Sequence, residues 1–118
     1  MKLEVNRLAG ELFVLYMADE LNSDTLKQFK NQISSLIAEG AKTIVVDCRE
    51  LGKISSSGLA SLLWARATTR AKGGKIYFTQ VSAVIAEVLE ITKLSNLLSI
   101  APTTLGLLRR LGRVRKHD

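Results

Sequence analysis

Three consecutive hydroxyl side chains form the one segment of this sequence whose composition suits chemistry. Ser55, Ser56 and Ser57 lie between Ile54 and Gly58, after an apolar strand and before an amphipathic helix. The N-terminus of a helix exposes unpaired backbone N–H groups and the positive end of its dipole. Serine caps such an end, and a phosphate is well accommodated there. The segment therefore predicts either a plain helix cap or a site of serine phosphorylation.

Catalytic groups are not evident elsewhere in the chain. The one histidine, His117, is next to the C-terminus, and no pair of acids has a spacing that suits acid–base catalysis. The sequence contains no glycine-rich dinucleotide motif, phosphate loop or nucleophile elbow. The single cysteine, Cys48, has no disulfide partner and no metal-ligand spacing around it. We therefore predict a protein that is not an enzyme and needs neither a metal nor a cofactor.

Three charged residues outside the serine run are further candidates for contact with a partner. Asp47 ends a strand-like run, where it either braces a loop or faces the serines and helps a partner to dock. Arg66 and Arg70 are one helical turn apart, so they point the same way. They are either ordinary solvated charges or the contacts of an acidic patch on a partner.

Length and composition predict a single folded domain. The chain has 118 residues, of which 47% are apolar, and its apolar runs fall far short of the roughly 20 residues that span a bilayer. The N-terminus lacks the apolar core of a secretory signal. We therefore expect a cytoplasmic protein that does not insert into a membrane.

The net charge of +6 is concentrated near the C-terminus. Five basic residues lie in the last thirteen positions: Arg109, Arg110, Arg113, Arg115 and Lys116. We assign residues 1–112 to the domain and residues 113–118 to a basic tail that is expected to be disordered. The domain lacks the basic face and interleaved aromatic residues of nucleic-acid binders, so no nucleic-acid partner is predicted. An electrostatic contact of the tail with an acidic partner or an anionic membrane surface stays open.

Alternating strands and helices predict an α/β fold. Strands are predicted at residues 3–7, 11–17, 43–47 and 75–79, with a short edge strand at 97–100. Four helices are predicted: one capped by Asn22 or Ser23, one after the serines, one capped by Ser82 with Val84 inward, and one near Pro102. Residues 49–53 are expected to form a loop. The result is a mixed, mostly parallel sheet of four to five strands with about four helices.

Placed on these elements, three segments resemble the STAS domain family, the sulfate transporter and anti-sigma factor antagonist domains. Residues 19–25, DELNSDT, resemble the family's Gly-Glu-Leu-Asp-x-x-Thr, and residues 43–47, TIVVD, resemble its apolar strand ending in Asp. Residues 54–59, ISSSGL, resemble its signature Asp-Ser-Ser/Thr-Gly-Leu. Ser55 stands where the family has Asp, Asp19 where it has Gly, and Asn22 where it has a second Asp.

This resemblance implies a regulator that binds proteins. In the anti-sigma factor antagonist class, a serine-kinase anti-sigma factor phosphorylates the serine after the signature Asp, which breaks the complex, and a phosphatase restores it. That serine corresponds to Ser56, with Ser57 as the alternative. The implied partner surface contains Asn22, Ser23, Asp47, Ser55, Ser56, Ser57, Gly58, Arg66 and Arg70.

Two other functions are compatible with the resemblance. Ser55 in place of Asp fits members that are not phosphorylated, such as the STAS subunit bound to the ATPase of a phospholipid-trafficking ABC transporter. Some relatives are reported to bind nucleotides, although this chain has no phosphate-loop residues.

Overall fold

A computed structural model describes residues 1–112 of the chain; the predicted basic tail at 113–118 lies outside the described residues. The elements, in chain order, are β1 (Lys2–Ala9), β2 (Leu12–Leu21), α1 (Leu26–Ala38), β3 (Thr43–Asp47), β4 (Leu51–Ile54), α2 (Ser56–Ala71), β5 (Lys75–Thr79), α3 (Ala83–Ile91), a 3-10 turn (Leu94–Asn96), β6 (Ile100–Ala101) and α4 (Thr104–Arg110). The predicted α/β class with four helices is confirmed.

The strands form one mixed sheet in the order β1-β2-β3-β5-β6, and β4 pairs with the far end of β2. Only the β1–β2 hairpin is antiparallel; the other pairs are parallel. Parallel pairing brings the carboxyl ends of β2, β3, β4 and β5 to one edge of the sheet, where the loops that follow them are grouped together.

The continuous apolar run in β2 follows from burial on both faces of the sheet. Phe13, Leu15 and Met17 point into a core covered by α1, α2 and α3. Leu12 and Val14 point to the opposite face, where α4 covers them. The sheet therefore lies between three helices on one side and one helix on the other.

Several of the expected boundaries and orientations are wrong. Residues 49–53 are not simply a loop, because Leu51–Ile54 form β4 against β2. The edge strand expected at 97–100 is instead Ile100–Ala101, and the last helix begins at Thr104, two residues after Pro102. Val84, expected inward, is 67% exposed because α3 buries Ile85 and Leu89 instead.

No helix within residues 1–112 combines the length and the apolar character needed to cross a membrane.

Candidate functional site

The strand β4 places the two predicted segments of the site side by side. Leu21 at the end of β2 is paired with Ile54 at the end of β4, in parallel. The Ser55 N–H donates a hydrogen bond to the Leu21 carbonyl oxygen at 2.9 Å. Neighbouring strands are about 4.8 Å apart, so the turn that follows β2 and the serines that follow β4 share one surface. We call it the serine-turn surface; it consists of Asn22, Ser23, Ser55, Ser56, Ser57 and Gly58.

The three serines have different roles at the start of α2. Ser55 is the N-cap: its backbone is extended and its Oγ accepts the Gly58 N–H at 3.1 Å. The Ser55 and Ser57 hydroxyls are 3.0 Å apart and hydrogen-bonded, and both residues are half-buried. Ser56 is the first residue of α2 and is exposed. Ser56 is therefore the serine presented to solvent at the positive end of a 16-residue helix.

The close approach of α2 to β2 requires a glycine at position 58. A Cβ atom on Gly58 would collide with the Leu21 carbonyl oxygen and lie 2.9 Å from Ile54 Cγ1. Because that oxygen also accepts the Ser55 N–H, it cannot move away without breaking the junction between the two turns. The absence of a side chain at Gly58 thus permits the close approach of α2 to β2 beside the serines.

The turn after β2 is closed by Asn22. Its Oδ1 accepts the backbone N–H groups of Asp24 at 2.9 Å and Thr25 at 3.2 Å. The helix α1 itself begins at Leu26, with Thr25 at the N-cap position and no side-chain cap. Asn22 therefore caps the turn that leads into α1 rather than its first helical residue, and Ser23 beside it is exposed.

Asp47 is the charged residue of the predicted partner contacts that is buried, with 2% of its surface exposed. Its Oδ2 accepts the Thr104 hydroxyl at 2.7 Å, and its Oδ1 accepts the Arg49 N–H at 2.9 Å. The Thr104 hydroxyl also lies 2.6 Å from that of Thr79. These bonds attach the N-terminus of α4 and the loop after β3 to the sheet. They correspond to the first of the two roles predicted for Asp47, which is to brace a loop.

Arg66 and Arg70 lie away from the serine-turn surface. They are ten and fourteen residues after Ser56 on α2, and a rise of 1.5 Å per residue separates them from it by about 15–20 Å. There they line a depression with Lys75 at the start of β5. The structure therefore divides the predicted partner contacts between two ends of the domain.

Neither the lone thiol nor the acids form a reactive or metal-binding group in the described part of the chain. Burial raises the pKa of the Cys48 thiol to about 12, and the neighbouring Asp47 carboxylate adds to the rise. Such a thiol stays protonated and is a poor nucleophile. Within residues 1–112, no three His, Cys, Asp or Glu side chains lie close enough to hold a metal ion.

Comparison with known proteins identifies the fold and its family. A family model described as "Mlab, STAS domain" matches residues 6–100. The chain belongs to the STAS domain family. BtrV of Bordetella bronchiseptica, a candidate anti-sigma factor antagonist, is 28% identical over 102 residues, which cover 86% of this chain and 84% of BtrV.

Solved structures share the STAS fold at low sequence identity. Unphosphorylated SpoIIAA, an anti-sigma factor antagonist, superposes with a TM-score of 0.72 and 19% identity, covering 97% of this chain and 100% of SpoIIAA. Phosphorylated SpoIIAA, a Bacillus cell fate determinant, gives 0.71 and 22%, covering 93% and 99%. An anti-sigma factor antagonist from Mycobacterium paratuberculosis gives 0.80 and 16%, with 92% of each chain covered.

Two departures from the STAS motifs have a structural explanation. Asp19 has a φ of 74°, in the left-handed region that favours glycine, which is the residue that the family has there. Asp is among the non-glycine residues that tolerate this region, and the Asp19 N–H donates to the Glu50 carbonyl oxygen at 3.0 Å. Ser55, where the family has Asp, performs the capping that a carboxylate would also perform.

Sequence reasoning missed β4, and with it the hydrogen bond between the Asp19 N–H and the Glu50 carbonyl oxygen. The only signal was the pair of apolar residues Leu51 and Ile54, which is too short a pattern to predict a strand.

Proposed function

We propose that this STAS domain is a cytoplasmic, protein-binding regulator of the anti-sigma factor antagonist type, which binds a serine-kinase anti-sigma factor through the serine-turn surface. The single observation that carries the proposal is the exposure of Ser56 at the first position of α2, between neighbours with structural roles. Support also comes from the similarity to BtrV, a candidate anti-sigma factor antagonist, and to SpoIIAA, whose structure is known in an unphosphorylated and a phosphorylated form.

The site suits a switch that acts on binding and not on folding. A phosphate on Ser56 would add about −1.5 to −2 charges near free N–H groups and the positive end of the α2 dipole, an environment that favours it. In a complementary interface the same charge would have to lose its water, which is costly. Phosphorylation would therefore release the partner and leave the domain folded, and a phosphatase would reverse the change.

Ser56 is preferred over Ser57 as the acceptor on geometric grounds. The Ser57 hydroxyl is half-buried and hydrogen-bonded to Ser55, the cap of α2. Modifying Ser57 would break that bond, whereas Ser56 is exposed and can enter a kinase active site without any rearrangement of α2. Ser57 remains the alternative acceptor.

The test is phosphorylation by a candidate anti-sigma kinase with ATP, mapped by mass spectrometry on the wild type, Ser56→Ala and Ser57→Ala. We expect phosphate on Ser56, loss of labelling in Ser56→Ala and retention in Ser57→Ala. Calorimetric titration should then show at least about tenfold weaker kinase binding for Ser56→Glu. The matched control, Ser34→Glu, places the same charge on the exposed side of α1 and should bind like the wild type.

Two outcomes would contradict the switch. One is the absence of phosphate on both Ser56 and Ser57 with a kinase that binds the protein. The other is a Ser56→Glu variant that binds the kinase as tightly as the wild type and has the wild-type unfolding midpoint. Residue 56 would then lie outside the interface.

The second candidate function is a constitutive subunit of a phospholipid-trafficking ABC transporter, bound to its ATPase. It is favoured by Ser55, since the carboxylate that the family carries beside the acceptor is missing. Affinity purification from native cells separates the two candidates: recovery of a transporter ATPase, with no phosphate on the serines, supports the subunit, and recovery of a serine kinase supports the regulator.

A further inference from the structure

The two outer strands of the sheet differ in how well they are protected against pairing with another chain. At one end, β6 has only two residues and is followed by Pro102; very short strands and prolines both block further pairing. At the other end, β1 has eight residues without a proline, and within residues 1–112 it pairs with β2 alone. Seven of its eight residues are exposed. The outer edge of β1 is therefore open.

A bulge limits the part of this edge that can accept another strand. The register of β1 with β2 shifts between Arg7 and Ala9, and a bulge bends a strand and interrupts its regular pairing. Residues 2–7 pair with β2 without interruption. A second strand can thus add most regularly to the N-terminal part of β1.

The side chains of this N-terminal part form an apolar face and a charged face. Met1 and Leu3 pack against the main core, and Val5, on the same side of the strand, is 40% exposed. Lys2 and Glu4 point to the opposite side, where their charged groups are 3.7 Å apart and mostly exposed. A strand added outside β1 would extend the apolar layer on one face and meet both charges on the other.

We propose that the outer edge of β1 binds β1 of a second copy of this chain, antiparallel and centred on Leu3, so that the two sheets become one. Residues directly opposite each other in an antiparallel pair point to the same face and contact each other. Lys2 of each copy then lies opposite Glu4 of the other, Met1 lies opposite Val5, and Leu3 lies opposite its own counterpart. The segment is therefore complementary to itself in both charge and apolar character.

Charge selects this register from its neighbours. A pairing centred on Lys2 or on Glu4 would place like charges directly opposite each other, which is destabilising. A pairing centred on Val5 or further along would extend into the bulge and leave both charges without an opposite charge. The pairing centred on Leu3 avoids the bulge and gives each charge a partner of opposite sign.

The size of the contact predicts a weak, reversible dimer. Stable protein complexes bury about 1,600 Å², and a pairing of about five residues in each strand covers less than that. We expect a dissociation constant between about 10 μM and 1 mM. The proposal does not rest on the function proposed for the serine-turn surface.

Analytical ultracentrifugation of the full chain, at concentrations up to about 1 mM, measures self-association, and charge variants test its register. Glu4→Lys makes both cross-strand charge pairs repulsive and should weaken dimerisation by at least about tenfold. The exchanged variant Lys2→Glu, Glu4→Lys restores opposite charges and should dimerise to within about twofold of the wild type. The matched control Glu87→Lys makes the same change of net charge on an exposed residue of α3 and should dimerise like the wild type.

Single cysteines test the register without any charge reversal. In the proposed pairing the two Leu3 Cα atoms are about 4.5–5.5 Å apart, within reach of a disulfide. The two Val5 Cα atoms are offset by four residues, or about 14 Å, which is out of reach. Under mild oxidation, Leu3→Cys should form a disulfide-linked dimer and Val5→Cys should not. Cys48 is buried and does not compete, and the wild type provides the background.

Each of the following results would overturn the proposal: no self-association at about 1 mM, dimerisation of Glu4→Lys equal to that of the wild type, a folded exchanged variant that does not dimerise, or a disulfide in Val5→Cys and not in Leu3→Cys. The second result would indicate an interface elsewhere on the domain. Slow hydrogen exchange of the outward β1 amides in a dilute, monomeric sample would also overturn it, because another segment of the same chain would then cover the edge. The cysteine variants decide the matter even if a charge variant does not fold.

Discussion

Replacement of Ser55 tests whether this serine, among the three, stabilises the N-terminus of α2. Ser55→Ala removes the Oγ that accepts the Gly58 N–H and contacts the Ser57 hydroxyl. Loss of a serine N-cap costs about 0.5–2 kcal/mol. Gly58 is buried, so water replaces the lost acceptor poorly, and the cost should lie in the upper half of that range, at about 1–2 kcal/mol.

Ser55→Asp is the informative partner of this variant, because it restores the residue that the family has. A carboxylate caps as well as a hydroxyl and adds a negative charge at the helix N-terminus, worth about 0.3–1 kcal/mol. We therefore expect Ser55→Asp to be as stable as the wild type or more stable by up to about 1 kcal/mol.

Urea unfolding followed by circular dichroism measures the free energy of unfolding of both variants. The slope of this free energy against urea concentration should be the same for the wild type and the variants. In a thermal scan, the unfolding midpoint of a chain of this size should fall by about 4 °C for each kcal/mol of stability that is lost. If Ser55→Ala unfolds within about 0.3 kcal/mol of the wild type, or if Ser55→Asp loses more than about 1 kcal/mol, the cap assignment is refuted. Ser56→Ala is the control and should change stability by less than about 0.5 kcal/mol because its side chain is exposed.

Four further predictions use the same unfolding measurement. Gly58→Ala should destabilise the domain by at least about 2 kcal/mol, because its Cβ overlaps the β2 backbone; a loss below about 0.5 kcal/mol would contradict the close approach. Thr69→Val should stabilise the domain by about 1 kcal/mol, since the Thr69 hydroxyl is buried without a hydrogen-bond partner among the described residues; destabilisation would contradict this reasoning. Asp19→Gly should stabilise by about 0.5 kcal/mol through relief of its positive φ, whereas Asp24→Gly, where φ is not positive, should not. Cys48 is protonated in the folded chain up to about pH 12, against 9.0 in its unperturbed state, so its contribution to stability is complete below pH 9 and is lost as the pH rises toward 12. Cys48→Ala should reduce this loss of stability above pH 9, and an unchanged slope would count against the raised pKa.

The parts of the fold that local sequence patterns encode were predictable. The β-branched run Thr43–Asp47 is β3, and the apolar stripe with Phe29, Ile33 and Leu36 is the buried face of α1. The cap Ser82 of α3 also follows from its side chain, which accepts the Ile85 N–H. In each case the determining contacts are either within one element or between that element and a generic apolar core.

The parts that depend on pairing between distant segments were not predictable. The strand β4 has four residues and a burial pattern with no alternation, so its conformation comes from its pairing with the end of β2. The pairing is accompanied by a positive φ at Asp19 and by a bulge between Asp19 and Glu20, and no local sequence pattern predicts either feature. The distance of Arg66 and Arg70 from Ser56, by contrast, follows directly from their spacing along α2, and their contact with a partner stays a prediction.

The arrangement around the serines explains how the proposed phosphorylation site can lie at a junction of the fold. Three structural tasks meet there: capping α2, allowing α2 to approach β2, and closing the turn after β2. Ser55, Gly58 and Asn22 each perform one of them, and the buried Asp47 fastens the neighbouring loop independently. Ser56 performs none of these tasks, although it lies between residues that do. We therefore expect a change at Ser56 to act on the binding of the proposed partner, and the same change one residue earlier to act on the fold.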